Sequence, residues 1–256
     1  MKNRTIYSFF KTSKVINSLD FGKTASHFNG AKGDNVLSSR LERQFHNSFK
    51  VVVEARGEIE MLKLTNQNIL TWDDYWLDER EGVIIDPGIK HINLQRNDLI
   101  YVNMSVERKR LHTLNLEGNS DLKYLHIHKS QSLSELVLDG CTSLEQINLG
   151  LNYSYTRISA KGCKMRGQVM EQLLRDFRPV ITSSGEVRGA GMFRKTSTTL
   201  LDLTGNTIDW SNRRIASKIR MLLTNNWEVR WDNPPPTEII PLRMYAFPVE
   251  SRIGIL

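Results

Sequence analysis

The chain has 256 residues, enough for one large domain or two small ones, and its 39% hydrophobic and 25% charged residues are those of an ordinary globular protein, not a disordered or fibrous one. No apolar run approaches the roughly 18 residues a membrane helix needs, which excludes a helical span. The formal net charge of +7 is uneven: residues 1–50 hold nine Lys/Arg against three acids, so the basic character belongs to the N-terminal segment.

Residues 1–48 show no sustained hydrophobic period and are rich in Lys, Ser, Asn and Gly, with scattered aromatics at Tyr7, Phe9, Phe10, Phe21 and Phe28. This composition predicts an extended basic arm that orders on a partner or remains a tail. Residues 37–45 are predicted as a short helix. Lys2 and Arg4 precede a short apolar run that Ser8 interrupts and Lys11 ends, too brief for an export segment. The expectation is a chain in the cytoplasm or in a particle assembled there, with the cell surface as the alternative.

From Phe49 the texture turns β-rich. FKVVVEA and EIEMLKL, separated by Arg56-Gly57, read as a hairpin. NILTWDDYWLDEREG and the apolar run GVIIDPGIKHINL follow. Residues 49–88 are assigned to a β-rich unit that covers one end of what comes next.

Residues 111–165 carry the strongest pattern. In lines of eleven they read LHTLNLEGNSD, LKYLHIHKSQS, LSELVLDGCTS, LEQINLGLNYS and YTRISAKGCKM. Three apolar columns result: Leu111, Leu122, Leu133, Leu144, Tyr155; Leu114, Leu125, Leu136, Ile147, Ile158; and Leu116, Ile127, Leu138, Leu149, Ala160. Gly118, Gly140 and Gly162 recur every 22 residues, as do Asn119, Cys141 and Cys163, so the unit is 22 residues with two similar halves. A fixed period of this size means stacked units sharing one core. The alternation at Leu114/Leu116 and Leu136/Leu138 predicts strands with one buried face, laid parallel, one per unit.

The pattern L-x-x-L-x-L-x-x-[N/C]-x-x-L, read off Leu133, Leu136, Leu138, Cys141 and Leu144 and again off Leu111, Leu114, Leu116, Asn119 and Leu122, resembles the leucine-rich repeat family. The doubled eleven-residue texture is similar to its bacterial surface-type members. An earlier unit fits at Ile89, Ile92, Leu94, Asn97 and Ile100, and a later one in part at Thr198, Leu201, Leu203 and Asn206. The resemblance implies an α/β fold: a leucine-rich-repeat solenoid with a parallel β-sheet, an N-terminal β cap and a C-terminal helical cap. Asn103 and Ser105 occupy apolar columns of the unit starting at Ile100, which places a boundary near there.

After Cys163 the period stops. RGQVMEQLLRDF puts Val169, Leu173 and Phe177 on one helical face beside Met170 and Leu174, and Pro179 ends the helix. A Gly/Ser-rich loop at 183–191 leads to a strand in TTLLDLTGN. Ser211 is placed to N-cap a second helix with Ile215, Ile219, Leu222 and Leu223 inward, and TNNWEVRW closes with a strand. Residues 89–231 thus form the repeat domain, and 232–256 a Pro-rich extended tail, stiff at Pro234-Pro235-Pro236 and apolar beyond, suited to docking on another protein.

Between the apolar columns, side chains project outward in rows: His91, Thr113, Glu135, Arg157; Asn93, Asn115, Val137, Ser159, Asp202; and Gln95, Glu117, Asp139, Lys161, Thr204. Nine of these (Thr113, Asn115, Glu117, Glu135, Val137, Asp139, Arg157, Ser159 and Lys161) form the candidate partner-binding face. No catalytic, metal or cofactor constellation accompanies it. His112, His126 and His128 lack a further ligand at metal spacing, Asp73-Asp74 with Asp78-Glu79-Glu81 matches no calcium loop, and the Gly-rich 183–191 segment lacks the phosphate-loop order. Cys141 and Cys163 point inward as small apolar groups, with free thiols favoured over a disulfide.

The expected function is a non-enzymatic protein-interaction scaffold, a structural component fastened into a larger assembly such as a virion or secretion-type complex by its termini, with proteins as partners through the strand face and the arms. A secreted ligand-binding protein, or nucleic-acid association through the basic arm and the Arg213, Arg214, Lys218, Arg220 patch, are the alternatives. The register itself is testable by chemical denaturation. Leu136→Ala is expected to lose about 2–5 kcal/mol of stability as a buried leucine, and Glu135→Ala, one residue away, almost none.

Overall fold

The computed structural model describes residues 4–12, 31–32, 36–43, 48–55, 61–66, 68–73, 76–78, 84–86, 88–104, 109–128, 130, 132–150, 155–165, 167–175, 180–181, 187–188, 199–224 and 227–238. The chain opens with β1 (Arg4–Thr12), β2 (Ala31–Lys32), β3 (Val36–Arg43), β4 (Ser48–Ala55), β5 (Met61–Lys63), β6 (Ile69–Asp73), β7 (Trp76–Asp78) and β8 (Ile84–Ile85). A run of short strands follows: β9 (His91–Asn93), β10 (Tyr101–Met104), β11 (Thr113–Asn115), β12 (Tyr124–Ile127), β13 (Glu135–Val137), β14 (Gln146–Asn148) and β15 (Arg157–Ser159). Then come α1 (Gly167–Arg175), the pair β16 (Val180–Ile181) and β17 (Val187–Arg188), β18 (Thr199–Asp202), α2 (Arg213–Thr224) and β19 (Trp227–Arg230). The fold is α/β, with open sheets in which the strands from β5 onward pair mainly in parallel, and with few helices.

Each eleven-residue half-unit makes its own strand, and successive strands go to alternate sheets. Sheet I runs β14-β12-β10-β6-β1-β4-β3, with β7 on β1 and β8 on β7; sheet II runs β19-β18-β15-β13-β11-β9-β5-β2. The sequence reading of one strand per 22-residue unit is therefore corrected to two. The reason is that both halves carry the same apolar spacing, so both can bury one face of an extended segment. In sheet II, Leu62, Ile92, Leu114, Leu136, Ile158, Leu201 and Val229 lie side by side in parallel register. In sheet I, Trp72, Val102, Leu125 and Ile147 do the same. All fifteen members of the three apolar columns are buried, and the inward residues of both sheets and both helices form one continuous core.

Parallel pairing begins before the period is visible in sequence. β5 pairs with β9 and β6 with β10, so residues 61–73 already stack on the next unit. Leu62 and Ile92 are 30 residues apart, not 22, because the β7–β8 hairpin lies in the intervening chain. Parallel pairing with the later strands thus begins at β5, ahead of the boundary expected at 89. The proposed hairpin across Arg56-Gly57 does not form, since β4 lies between β1 and β3 in sheet I while β5 joins sheet II. The unit at 89–104 also shifts by one residue. Asn97 to Leu99 is two positions where Asn119 to Leu122 is three, so Leu99 takes the buried column and Ile100 stays 36% exposed. Val102 and Met104 then point inward and Asn103 outward, the reversal of faces that a single-residue slip imposes.

The N-terminal reading changes most. Among the described residues, β1 pairs antiparallel with β4 and with both β6 and β7, and residues 37–43 of the segment read as a helix belong to β3, paired with β4. An arm ordered only on a partner does not hold for these strands. Val51, Val52 and Val53 are fully buried, and β-branched runs of this kind favour a sheet that is covered on both faces.

A second interaction joins neighbouring strands of sheet II. Asn97, Asn119, Cys141, Cys163 and Asn206 are buried just past their strands. The Asn97 amide donates to the carbonyls of Leu64 (2.7 Å) and Leu94 (2.9 Å), Asn119 to Leu94 (3.0 Å) and Leu116 (2.7 Å), and Asn206 to Ala160 (2.7 Å) and Leu203 (2.9 Å). The Asn119 carbonyl accepts from the Asn97 backbone N–H at 3.1 Å. The thiols of Cys141 and Cys163 donate to Leu116 O (3.3 Å) and Leu138 O (3.0 Å). Each unit thus supplies the donor that the preceding turn requires.

The helices stand where sheet I would continue. α1 packs on β14 and on α2, and α2 packs on β19. Gln172 of α1 accepts the Ile147 backbone N–H at 2.9 Å, satisfying a donor on the outer edge of β14. α1 buries Val169, Met170, Leu173 and Leu174 as expected, while Phe177 and Pro179 lie outside the described residues. α2 is N-capped by Asn212, whose Oδ1 accepts the N–H of Arg214 at 3.0 Å. Ser211 instead hydrogen-bonds Asp209, with N–H and hydroxyl both donating to its Oδ1. Ile215, Ala216, Ile219 and Leu222 face inward, and Leu223 is only half-buried. The tail begins later than 232: Asn233 exchanges hydrogen bonds with Ile208 and accepts from the Trp210 indole, and Trp210 meets Trp231 edge-on at 5.6 Å. Residues beyond 238 are outside the described set.

Gly118, Gly140, Gly162 and Gly205 share the left-handed conformation, with φ between 61° and 77°. Their stacking is closest at Gly205, where a Cβ would stand 2.9 Å from the backbone of Gly162, whereas a Cβ on Gly162 would meet nothing within 4 Å. Gly162→Ala is expected to cost about 1 kcal/mol from the φ alone. Gly205→Ala should cost clearly more, roughly 2–3 kcal/mol, because backbone must also move. Denaturant midpoints of the two variants against the parent test the difference.

Candidate partner-binding face

Sheet II turns alternate residues outward, and the nine candidate residues fall on three adjacent strands, β11, β13 and β15, and the turns that follow them. Their register is the one expected: Thr113 beside Glu135 beside Arg157, and Asn115 beside Val137 beside Ser159. Exposure is less uniform than the alternation implies. Arg157 and Lys161 are exposed, and Thr113, Asn115, Glu117, Glu135 and Asp139 are half-buried. Val137 is buried, Ser159 is 1% exposed, and Asp202 in the same row is 2% exposed. The middle row is therefore largely the floor of the face and not its contact surface.

The groups on this face bind one another along the strand-to-strand direction. His91 lies 3.1 Å from the Thr113 hydroxyl, the Gln95 amide donates to Glu117 at 2.6 Å, and Arg157 pairs with Glu135 at 3.1 Å. The Ser159 hydroxyl donates to Asp139 at 2.6 Å, and the Lys161 backbone N–H donates to the same carboxylate at 2.9 Å. The buried Asp202 has Lys161 and Arg230 each 3.8 Å away, accepts from the Thr204 N–H at 3.1 Å, and also accepts from the Thr204 hydroxyl. Asn93 and Asn115 accept from the backbone N–H two residues on, which fixes the end of each strand. Rows that satisfy themselves in this way hold one another in place.

The cysteines are both free and buried. Burial raises the Cys163 thiol to about 12, and raises Cys141 further, with the neighbouring Cys163 adding to the effect. Neither is a thiolate at neutral pH. His126 and His128 stack with ring centroids 6.5 Å apart. Among the described residues no group of three or more His, Cys, Asp or Glu is arranged to hold a metal ion. Of the acidic cluster, Asp73 accepts from the Asn103 amide at 3.1 Å, and Asp74, Glu79 and Glu81 are outside the described residues. So is most of the Gly-rich segment, in which β17 pairs with β16.

A second ordered face was missed. The outward rows of sheet I are Thr71, Tyr101, Tyr124, Gln146 and, beside them, Asp73, Asn103, His126, Asn148. The signal that would have found them is the same eleven-residue period, read in the half-units between those used for sheet II. Here the Lys123 ammonium and the Tyr124 hydroxyl both hydrogen-bond Glu145, at 3.0 and 3.1 Å, which holds the Glu145 carboxyl below its ordinary range.

Fold and face together define an α/β protein of parallel strands in two sheets, each presenting straight rows of side chains. No protein-family model matches the chain, and neither curated proteins nor solved structures provide a match.

The thiols provide a test of the inward column. In native buffer at pH 8, a thiol reagent such as dithionitrobenzoate should label neither cysteine, and in guanidinium chloride it should label both. The raised folded-state values have a definite sign: the unfolded chain releases these protons first, so their share of stability is intact below about pH 8.5 and is lost as pH rises toward about 12. A Cys141→Ala/Cys163→Ala variant should lose that alkaline slope.

Proposed function

We propose that the chain is a non-enzymatic scaffold of the leucine-rich-repeat type, a solenoid with a β-rich beginning and a helical end, that holds other proteins against the outward rows of sheet II. The observation that carries this is the self-satisfied network on that face. Arg157 with Glu135, Lys161 with Asp139 and Asp202, and Gln95 with Glu117 form a patterned charge surface on a backbone that needs no rearrangement. Preorganisation of this kind lowers the ordering cost of association, and alternating charge gives specificity more than raw affinity. Because β1 and β3 belong to sheet I, attachment through a loose N-terminal arm is replaced in this reading by attachment through the face.

Site-specific photo-crosslinking tests this in the native host. A crosslinker at Glu135 or Arg157 should trap a discrete protein, and one at His128, on the other sheet, should not. A Glu135→Ala/Arg157→Ala variant should lose the crosslink at Thr113 while shifting the unfolding midpoint little, since an exposed ion pair contributes about 0–1 kcal/mol. Trapping of the same protein from both sheets alike, or of none, would refute the reading.

A further inference from the structure

The outer face of sheet I differs from that of sheet II in three respects. First, the exposed large hydrophobic residues among those described are Ile100 at 36% and Tyr124 at 39%, and they are neighbours: the Tyr124 N–H donates to Ile100 O at 3.1 Å. Tyr101 stands beside Tyr124 on the adjoining strand, so two aromatic residues lie side by side on the face. Second, the adjacent row is made of neutral groups that both donate and accept: Asn103, His126 and Asn148, with Gln146 at the end of the tyrosine row. Among the described residues the side chains of His126 and Gln146 have no hydrogen-bond partner, Asn103 donates to Asp73, which leaves its carbonyl, and Asn148 accepts from the Gly150 N–H, which leaves its amide. Third, the charges are already balanced or negative. Lys123 is paired with Glu145, and Asp73 sits at the end of the row.

We propose that this face binds a neutral oligosaccharide, with sugar rings lying on Tyr101 and Tyr124 and their hydroxyls hydrogen-bonded by Asn103, His126, Gln146 and Asn148. A pyranose offers an apolar C–H face, which a flat aromatic side chain covers, and a rim of hydroxyls that each donate and accept, which amides and an imidazole match. The spacing also fits: rungs recur every 4.8 Å or so, close to the length of one sugar in an extended chain, about 5 Å. A polyanion is disfavoured, because Lys123 is neutralised by Glu145 and Asp73 repels phosphate. This site is on the sheet opposite the protein-binding face and stands or falls independently of it.

The test uses the full chain and isothermal titration with four neutral probes: cellohexaose, maltohexaose, mannohexaose and chitohexaose. At least one should bind. Tyr124→Ala should weaken that binding at least about tenfold, Gln146→Ala measurably, and Tyr124→Phe by less than about threefold, because the ring and not the hydroxyl makes the contact. Circular dichroism of each variant should match the parent, as Tyr124 and Gln146 are on the surface. Failure of all four hexaoses to bind, or binding that survives Tyr124→Ala unchanged, would overturn the proposal. So would a thymidine dodecamer, or a protein crosslinked at Tyr124, occupying the face in place of the sugars.

Discussion

The structure depends on a mismatch between what one strand needs and what it can supply. A three-residue strand such as Thr113–Asn115 has one inward leucine and a turn whose carbonyls face the protein interior. Alone it can neither exclude water from Leu114 nor satisfy the carbonyls of Leu94 and Leu116. The neighbouring units supply both: Ile92 and Leu136 lie directly alongside Leu114, Asn119 of the same turn and Cys141 of the next are buried donors to Leu116 O, and Asn119 also reaches back to Leu94 O. Burial of one leucine side chain contributes about 1.5–3 kcal/mol, but an interior carbonyl left without a donor would cost a comparable amount. The apolar column and the Asn/Cys column are therefore two parts of one requirement.

This explains why cysteine can stand for asparagine at positions 141 and 163. The position demands a small side chain with a donor aimed at the preceding turn, and the thiols meet the Leu116 and Leu138 carbonyls. It does not demand the second role of asparagine, accepting a backbone N–H as Asn119 does from Asn97. The same regularity places the outward rows. Because the backbone is fixed from below, side chains such as Glu135 and Arg157 meet across strands without selecting each other from many conformations. Function on such a protein follows from which residues occupy the rows, and the two sheets have been given different contents: an interlocked charge pattern on one, aromatic rings with neutral polar groups on the other.

The ends of the stack use different chemistry. At the C-terminal side, Gln172 satisfies the edge of β14 and α2 packs its apolar face on β19. At the N-terminal side, long antiparallel strands take over sheet I, with β1 set between β4 and β6. A helix satisfies its own backbone and can close a sheet with a few side chains. A strand must find partners: β3 finds its partner in the next strand, β4, while β1 finds β4, β6 and β7 far along the chain.

The sequence by itself determined the inward columns from Leu111 to Cys163, the parallel arrangement, the glycine positions and the register of the nine face residues, because each is a local pattern repeated at constant spacing. Only the tertiary structure decided that each half-unit contributes its own strand, since identical spacing in both halves does not say which sheet a strand joins. It alone showed that residues 61–73 stack on the repeats across a 30-residue offset, that Leu99 and not Ile100 is buried, and that the basic N-terminal segment supplies strands to sheet I. The physical reason is common to all three. Periodicity reports contacts between residues at one fixed separation, and wherever an inserted hairpin, a one-residue slip or a long-range antiparallel pairing changes that separation, the information lies in the partner strand and not in the segment itself.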